Sequence, residues 1–227
     1  ICTNVHFPPF VSDSLFNGQT VSTLLNEAKK IAEEKGLPAS ITFLEEKNNI
    51  DSTNAELNFR MGKLYEAVGN SVKAENYFKK AIDYDLLKFR APGKINQIIE
   101  KVSKEADIPL VSSWNQFKQE SKNGIPGYDL FWEHLHPNVK GYYLIADAFL
   151  EKIIRQKMIS NEDADFGSRL PFEYQALCIP WLDLAYGERA IQNLTGKWPF
   201  RNFKTSTEIL DQGDPALIQI VEKVHQR

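Results

Sequence analysis

The sequence predicts a three-layer α/β fold, present in part, with an inserted helical hairpin and a helical C-terminal tail. Two short apolar segments, residues 1–7 and 108–112, have the composition of buried strands and are separated along the chain by amphipathic helices. Residues 55–88 have the spacing of a two-helix repeat unit. Residues after 157 return to helical periodicity, so we expect the tail to be helical.

The first elements in chain order are a strand and a helix. Residues 1–7 end at Pro8-Pro9, whose missing N–H groups stop a strand ladder. Apolar residues then recur at helical spacing over residues 19–35, and Gly36 suits the position after a helix. Because Ile1 opens the chain inside an apolar stretch, with no Met or signal segment before it, we expect a fragment of a longer protein.

Residues 55–88 give the clearest structural signal. Small residues recur where two helices would touch, and aromatic residues recur where they would fill the groove between them. The positions are Gly62, Tyr65, Gly69, Ala74, Phe78 and Ala81. These offsets resemble one tetratricopeptide (TPR) unit, and the sequence shows no second good copy. A single unit cannot bury its apolar face alone, so we expect it to pack on neighbouring helices such as residues 94–106.

The second half of the chain continues the alternation of helix and strand. Ile-Pro-Leu-Val-Ser at 108–112 directly follows a helix, which favours a buried parallel strand. A loop marked by Gly124, Pro126 and Gly127 comes next. Helical periodicity predicts further helices at residues 139–157, 172–194 and 206–224.

Composition and charge exclude several classes of function. The net charge is −3 and the pI is about 5.9, with basic residues dispersed among acidic ones, so the chain has no nucleic-acid footprint. No apolar run is long enough to span a membrane. Cys2 and Cys178 do not make a disulfide framework, and we expect two buried thiols. The compartment stays open, and the parent protein could be extracytoplasmic or membrane-anchored.

The strongest chemical signal is Phe-Trp-Glu-His-Leu-His-Pro-Asn at residues 131–138, before a helix. A histidine that acts as a general base needs a partner on its second ring nitrogen to fix its tautomer and orientation. Glu133, three residues before His136, can reach that nitrogen in a turn. Pro137 restricts His136 to an extended conformation, and Asn138 is a favourable N-cap. The pattern predicts Glu133 and His136 as a catalytic pair.

The run Glu-His-Leu-His-Pro-Asn-Val-Lys-Gly-Tyr resembles the last conserved block of SGNH/GDSL hydrolases, commonly Asp-x-x-His-Pro-Asn and then Gly-Tyr. Glu133 stands at the acid position, where Asp is commoner, and His136 stands at the histidine position. The TPR-like unit, the run at 85–99 and the opening Thr-Asn-Val-His-Phe-Pro-Pro-Phe resemble a bacterial subgroup of the family that contains TPR units. The resemblance covers roughly residues 1–155 and implies a flavodoxin-like sheet.

The resemblance implies that this chain is the C-terminal part of a serine esterase or acyl hydrolase. It would supply the histidine and its orienting carboxylate for an acyl-ester substrate, while the serine of a Gly-Asp-Ser block would lie upstream. Serine acyl transfer needs no cofactor, and this chain alone is expected to be inactive. Residues 1–50 and 89–157 would belong to the α/β domain, 51–88 to the TPR-like insertion and 158–227 to a helical extension.

Other assignments of the chemical groups stay open. Ser14 lies in a Ser-Asp-Ser-Leu run that mimics the nucleophile block, but Pro8-Pro9 interrupt the strand that a nucleophile elbow needs. Glu133, His134 and His136 could supply metal ligands, although metal sites usually need three or four ligands with an ordered second shell.

Asp129 is a reserve partner for His136, and we expect His134 to face solvent or a cleft edge. Two other functions also stay open. The chain could be a protein-interaction module that makes its contacts through the TPR-like hairpin, or a catalytically inactive SGNH-like scaffold.

Overall fold

A computed structural model describes residues 2–13, 15–16, 19–48, 52–159, 178–200 and 215–225. The structure is mostly helical, with 64% helix and 3% strand, so the predicted three-layer α/β fold with a flavodoxin-like sheet is wrong for this chain. Within these ranges the strand pairing is an antiparallel hairpin of β1 (Leu15–Phe16) and β2 (Gln19–Thr20). An isolated bridge joins Phe131 to Pro137.

The two segments predicted as strands have no ladder partner in the described part of the chain. Residues 2–7 and 108–112 are irregular. The Val5 N–H donates to the Pro126 carbonyl at 3.1 Å, and the Ile108 N–H donates back to the Ser103 carbonyl at 2.9 Å. An apolar, β-branched composition produces a strand only where a second strand completes its hydrogen bonds. Composition alone therefore led to the wrong fold class.

Helices follow one another along the chain with mostly short connections. They are α1 (Val21–Lys35), α2 (Leu37–Asn48), α3 (Ala55–Ala67), α4 (Ser71–Tyr84), α5 (Gly93–Glu105), α6 (Ser113–Glu120), α7 (Val139–Arg155), α8 (Trp181–Thr195) and α9 (Pro215–His225). A 3-10 turn, Lys122–Gly124, follows α6.

The helices predicted at 19–35, 94–106 and 139–157 are confirmed as α1, α5 and α7. Those predicted at 172–194 and 206–224 coincide with α8 and α9, while residues 172–177 and 206–214 lie outside the described residues.

Polar side chains set several helix starts by accepting an N–H that has no partner within the helix. The capping residues are Thr20 for α1, Asn54 for α3, Asn70 for α4 and Asn138 for α7. Gly69 makes the turn between α3 and α4 at φ +77°, a left-handed conformation that glycine adopts without steric cost.

The chain divides into two compact units, residues 1–129 and 130–227. In the first unit α1 packs on α2, α2 on α3, and α3 on α4, so two successive helical hairpins share one hydrophobic core. Fully buried core residues include Leu24, Leu44, Met61 and Phe78. The sequence indicated one helical unit at 55–88, and the structure shows that α1 and α2 form the neighbour on which it packs.

The close packing of α3 on α4 depends on Gly62. A Cβ at this position would lie 2.6 Å from the buried ring of Phe78. Polar groups join the same helices to α2, because the Tyr65 hydroxyl contacts Glu45 and Lys73 Nζ donates to that hydroxyl at 2.9 Å. Close packing at Gly62 therefore holds α3 against α4, and hydrogen bonds of Tyr65 join the hairpin to α2.

A buried ion pair fixes the N-terminal segment to the loop after α4. Arg90 Nη2 lies 3.3 Å from Asp85 Oδ2, and both side chains are buried. Arg90 Nη1 also donates to the carbonyls of Asn4 and Phe7 at 3.2 and 2.7 Å. Asp85 Oδ2 accepts the N–H of Phe10 at 2.9 Å. These bonds hold an irregular segment in place without a sheet.

The second unit contains α7, α8 and α9. The contact between α8 and α9 buries Ala185 and Val221, with Trp181 packed against them, and Arg189 Nη2 lies 3.0 Å from Glu222 Oε1. Among the helices that the structure describes, none combines the length and apolarity that crossing a bilayer requires.

Candidate active site

The candidate site lies in a tight loop directly before α7. The bridge between Phe131 and Pro137 closes the loop, and the Trp132 N–H donates to the His136 carbonyl at 2.9 Å. The Asn138 N–H then donates to the Leu130 carbonyl at 2.9 Å. These backbone bonds fix the positions of Glu133 and His136 before any side-chain contact is considered.

Glu133 is fully buried and its carboxylate organises the loop. Oε2 accepts the N–H of His134 at 2.8 Å and that of Leu135 at 3.3 Å, while Oε1 accepts the N–H of His136 at 2.7 Å. Hydrogen bonds from several N–H groups stabilise the charged form of a carboxylate. The backbone donors therefore fix the position of the Glu133 carboxylate inside the loop.

His136 turns Nδ1 to Oε1 of Glu133, and its side chain is 49% exposed. When Nδ1 carries the proton that it donates to Glu133, Nε2 is left as an acceptor. The structure thus brings together the two residues predicted from the sequence. The arrangement can take a proton at Nε2 and stabilise the resulting imidazolium with the carboxylate behind it.

His134 is buried, whereas the sequence led us to expect it at a cleft edge or in solvent. Its Nδ1 contacts Oε2 of Glu133, and its ring meets the edge of Phe200 at a centroid distance of 5.2 Å. The imidazoles of His134 and His136 therefore contact different oxygens of the Glu133 carboxylate. Among the described residues, no group of three or more His, Cys, Asp or Glu side chains is placed to hold a metal ion.

The reserve carboxylate Asp129 has a local role in the loop that precedes it. Its oxygens accept the N–H groups of Lys122 at 2.9 Å and Gly127 at 3.1 Å. Glu133 is the carboxylate that holds His136. Ser14, the residue in the look-alike serine run, lies outside the described residues.

The cysteines differ from the expectation of two buried thiols, because Cys178 is exposed. Cys2 is half-buried, and burial raises the pKa of its thiol to about 12. Since the thiolate is the nucleophilic form, Cys2 is unsuited to nucleophilic catalysis at neutral pH.

Sequence reasoning missed two features of the site. It did not anticipate that Glu133 accepts three backbone N–H groups, nor that His134 shares the carboxylate. The three backbone contacts of Glu133 had a signal in the sequence. Glu133 and His136 are only three residues apart, and over so short a span a carboxylate can accept from the N–H groups of the residues that follow it. The burial of His134 had no local signal, because it depends on Phe200, distant in the sequence.

Comparisons of this chain with protein-family models, with curated proteins and with solved structures found no match.

Proposed function

We propose that Glu133 and His136 form the acid–base pair of a serine acyl hydrolase or acyl transferase that acts on ester bonds. One observation carries the proposal: a half-exposed imidazole has its Nδ1 held by a fully buried carboxylate. A histidine held in this way presents Nε2 as a base, which acyl transfer to a serine requires. The resemblance of the block from Glu133 to Tyr142 to SGNH/GDSL hydrolases supports the same reaction class.

In the proposed reaction, Nε2 of His136 accepts the hydroxyl proton of a serine as its Oγ attacks the ester carbonyl. The Glu133 carboxylate keeps its charge and stabilises the imidazolium. The tetrahedral intermediate then breaks its bond to the leaving alcohol, which receives the proton from Nε2. Water activated by the same nitrogen releases the acid from the serine, and an acceptor alcohol in place of water gives acyl transfer.

The proposal places the nucleophilic serine in sequence that precedes residue 1. The basis is the resemblance, since the Gly-Asp-Ser block of the family comes before the histidine block. Ser14 is the alternative within this chain.

The test is hydrolysis of p-nitrophenyl acetate by the full-length protein that contains this chain. We expect His136→Gln to lower kcat/KM by about 10²–10⁴-fold, because the base is lost. The variant leaves every backbone N–H donor to Glu133 in place, so the loop should stay folded. Glu151→Gln makes the carboxylate-to-amide change at an exposed position of α7. As a control for His136→Gln at a position outside the proposed pair, this variant should leave the rate unchanged.

Three results would count against the proposal. An active protein whose rate is unaffected by His136→Gln would remove His136 from the mechanism. A folded full-length protein without esterase or acyl-transfer activity would favour the inactive scaffold or the interaction module. Fluorophosphonate labelling followed by peptide mapping locates the serine, and a label on Ser14 would contradict the placement upstream.

A further inference from the structure

The Glu133 carboxylate has a second imidazole beside it, which the proposed reaction does not use. Nδ1 of His136 contacts Oε1, and Nδ1 of His134 contacts Oε2. The His136 side chain is half exposed, whereas His134 and Glu133 are both buried. His134 is therefore placed to act on the carboxylate and not on a substrate.

The orientation of the carboxylate decides how well His136 is held. Rotation about the last side-chain bond of a glutamate is only weakly restricted, so the groups around the carboxylate set its plane. Oε2 accepts the backbone N–H of His134 at 2.8 Å and also contacts Nδ1 of that residue. Oε1 accepts the N–H of His136 at 2.7 Å and contacts Nδ1 of its ring. The contacts on Oε2 thus keep Oε1 turned toward His136.

The ring of His134 is itself held by packing within the second unit. It meets the Phe200 ring in an edge arrangement at a centroid distance of 5.2 Å, and both residues are buried. A buried imidazole packed in this way cannot follow the carboxylate if the carboxylate rotates. Support of this kind, from packed residues behind the reacting groups, keeps a site in its productive geometry.

The proposed reaction requires His134 to be neutral. One carboxylate balances one positive charge, and the reaction needs that balance when His136 becomes an imidazolium. A second imidazolium on the same carboxylate would repel the first. A neutral imidazole that carries its proton on Nδ1 donates a hydrogen bond to Oε2 and adds no charge.

We propose that His134 is a positioning residue, which donates an Nδ1–H hydrogen bond to Oε2 of Glu133 and so keeps Oε1 on His136. This inference rests on the proposed function, because it gives His134 a role in the same reaction. Since His134 is buried and acts through Glu133, its loss should lower kcat and leave KM nearly unchanged.

Two substitutions of nearly equal size test the donor in the full-length protein. His134→Asn keeps an N–H donor close to the position of Nδ1, whereas His134→Leu has no donor. With p-nitrophenyl acetate as the substrate, we expect His134→Leu to lower kcat about 10–100-fold, because small displacements of catalytic groups have effects of this size. His134→Asn should retain most of kcat. Equal kcat in the two variants, or an effect on KM alone, would overturn the inference.

Nitrogen-15 NMR of the full-length protein, labelled at histidine, gives a readout that needs no catalytic activity. At neutral pH, His134 should be a neutral ring with its proton on Nδ1. The Nδ1–H proton of His136 should resonate far downfield, and His134→Leu should weaken that signal while His134→Asn retains it. An imidazolium at His134, or a neutral ring with its proton on Nε2, would overturn the inference even if neither variant folds.

The outcomes separate this inference from the proposed function. An unchanged rate in His136→Gln would refute the proposed function and the role of His134 with it. Loss of activity in His136→Gln, together with equal kcat in the two His134 variants, would refute the positioning role alone and leave the proposed function in place.

Discussion

The Glu133 carboxylate accepts three successive backbone N–H groups and also holds Nδ1 of His136. A change at Glu133 therefore disturbs the loop and the proposed chemistry together. His136 has a simpler role, because its half-exposed ring can be replaced without removing any backbone N–H donor to the carboxylate. At the scale of single residues, His136 is thus the position at which the proposed chemistry is separable from folding.

His6 is a second histidine with a defined electrostatic environment. Its ring packs edge-on against Phe78, and Nε2 lies 2.9 Å from Glu66 Oε1. The charges of Lys63 and Asp129 also affect the pKa of His6. Burial lowers the pKa of His6 below its ordinary value of 6.5, and the carboxylates offset this only in part. Folding therefore favours the neutral imidazole.

This shift predicts a pH dependence of stability. As the pH falls below about 6.5, the unfolded chain takes up a proton on His6 while the folded chain does so only at lower pH, so the free energy of unfolding decreases. His6→Gln should lose less stability than the unmodified chain between about pH 7.5 and pH 5.5. Urea unfolding at both pH values measures the difference, and an identical loss in the two proteins would contradict the prediction.

At the scale of elements, the packing of α3 on α4 requires a residue without a Cβ at position 62. Gly62→Ala gains about 1 kcal/mol in helix propensity, but its Cβ would lie 2.6 Å from the buried Phe78 ring. Overpacking of this kind costs about 1–3 kcal/mol. Because the ring is enclosed and cannot move aside cheaply, we expect a lower melting temperature and a net destabilisation of up to about 2 kcal/mol.

Gly187 is the matched control for this prediction. It lies inside α8, and a Cβ there would meet no atom within 4 Å. Gly187→Ala should therefore be stabilising by about 0.5–1 kcal/mol from propensity alone. Stabilisation by Gly62→Ala to the same degree would show that α3 and α4 are not in tight contact.

At the scale of the whole molecule, the Arg90–Asp85 pair connects the loop after α4 to the N-terminal segment, which is far away in the sequence. Arg90→Met would leave the buried Asp85 carboxylate and the Asn4 and Phe7 carbonyls without their guanidinium partner. Removing one member of a buried ion pair costs about 3–5 kcal/mol. We expect this loss in the free energy of unfolding of the first unit, measured by chemical denaturation.

Arg60→Met is the control for Arg90→Met. Arg60 forms an exposed pair with Glu56, four residues earlier on α3, and such pairs contribute about 0.3–0.5 kcal/mol. A small effect is therefore expected at Arg60. Equal effects at the two arginines would refute a special role for the buried pair.

Predictions from the sequence succeeded where the determining interactions are local. Helices α1, α5 and α7 follow from apolar periodicity, and Asn138 caps α7 as its residue type suggested. The contact between Glu133 and His136 spans three residues of one turn, so a short motif was enough to predict it. The burial of His134 was not predictable in this way, because it requires Phe200, which is distant in the chain.

The sequence by itself determined helices α1, α5 and α7, the Asn138 cap and the pairing of a carboxylate with an imidazole, because neighbours along the chain complete these hydrogen bonds. Only the tertiary structure decided that residues 2–7 and 108–112 form no sheet with each other and that Arg90 holds the N-terminal segment. A strand and a buried ion pair both need a partner from another part of the chain. Local composition cannot specify whether that partner is present.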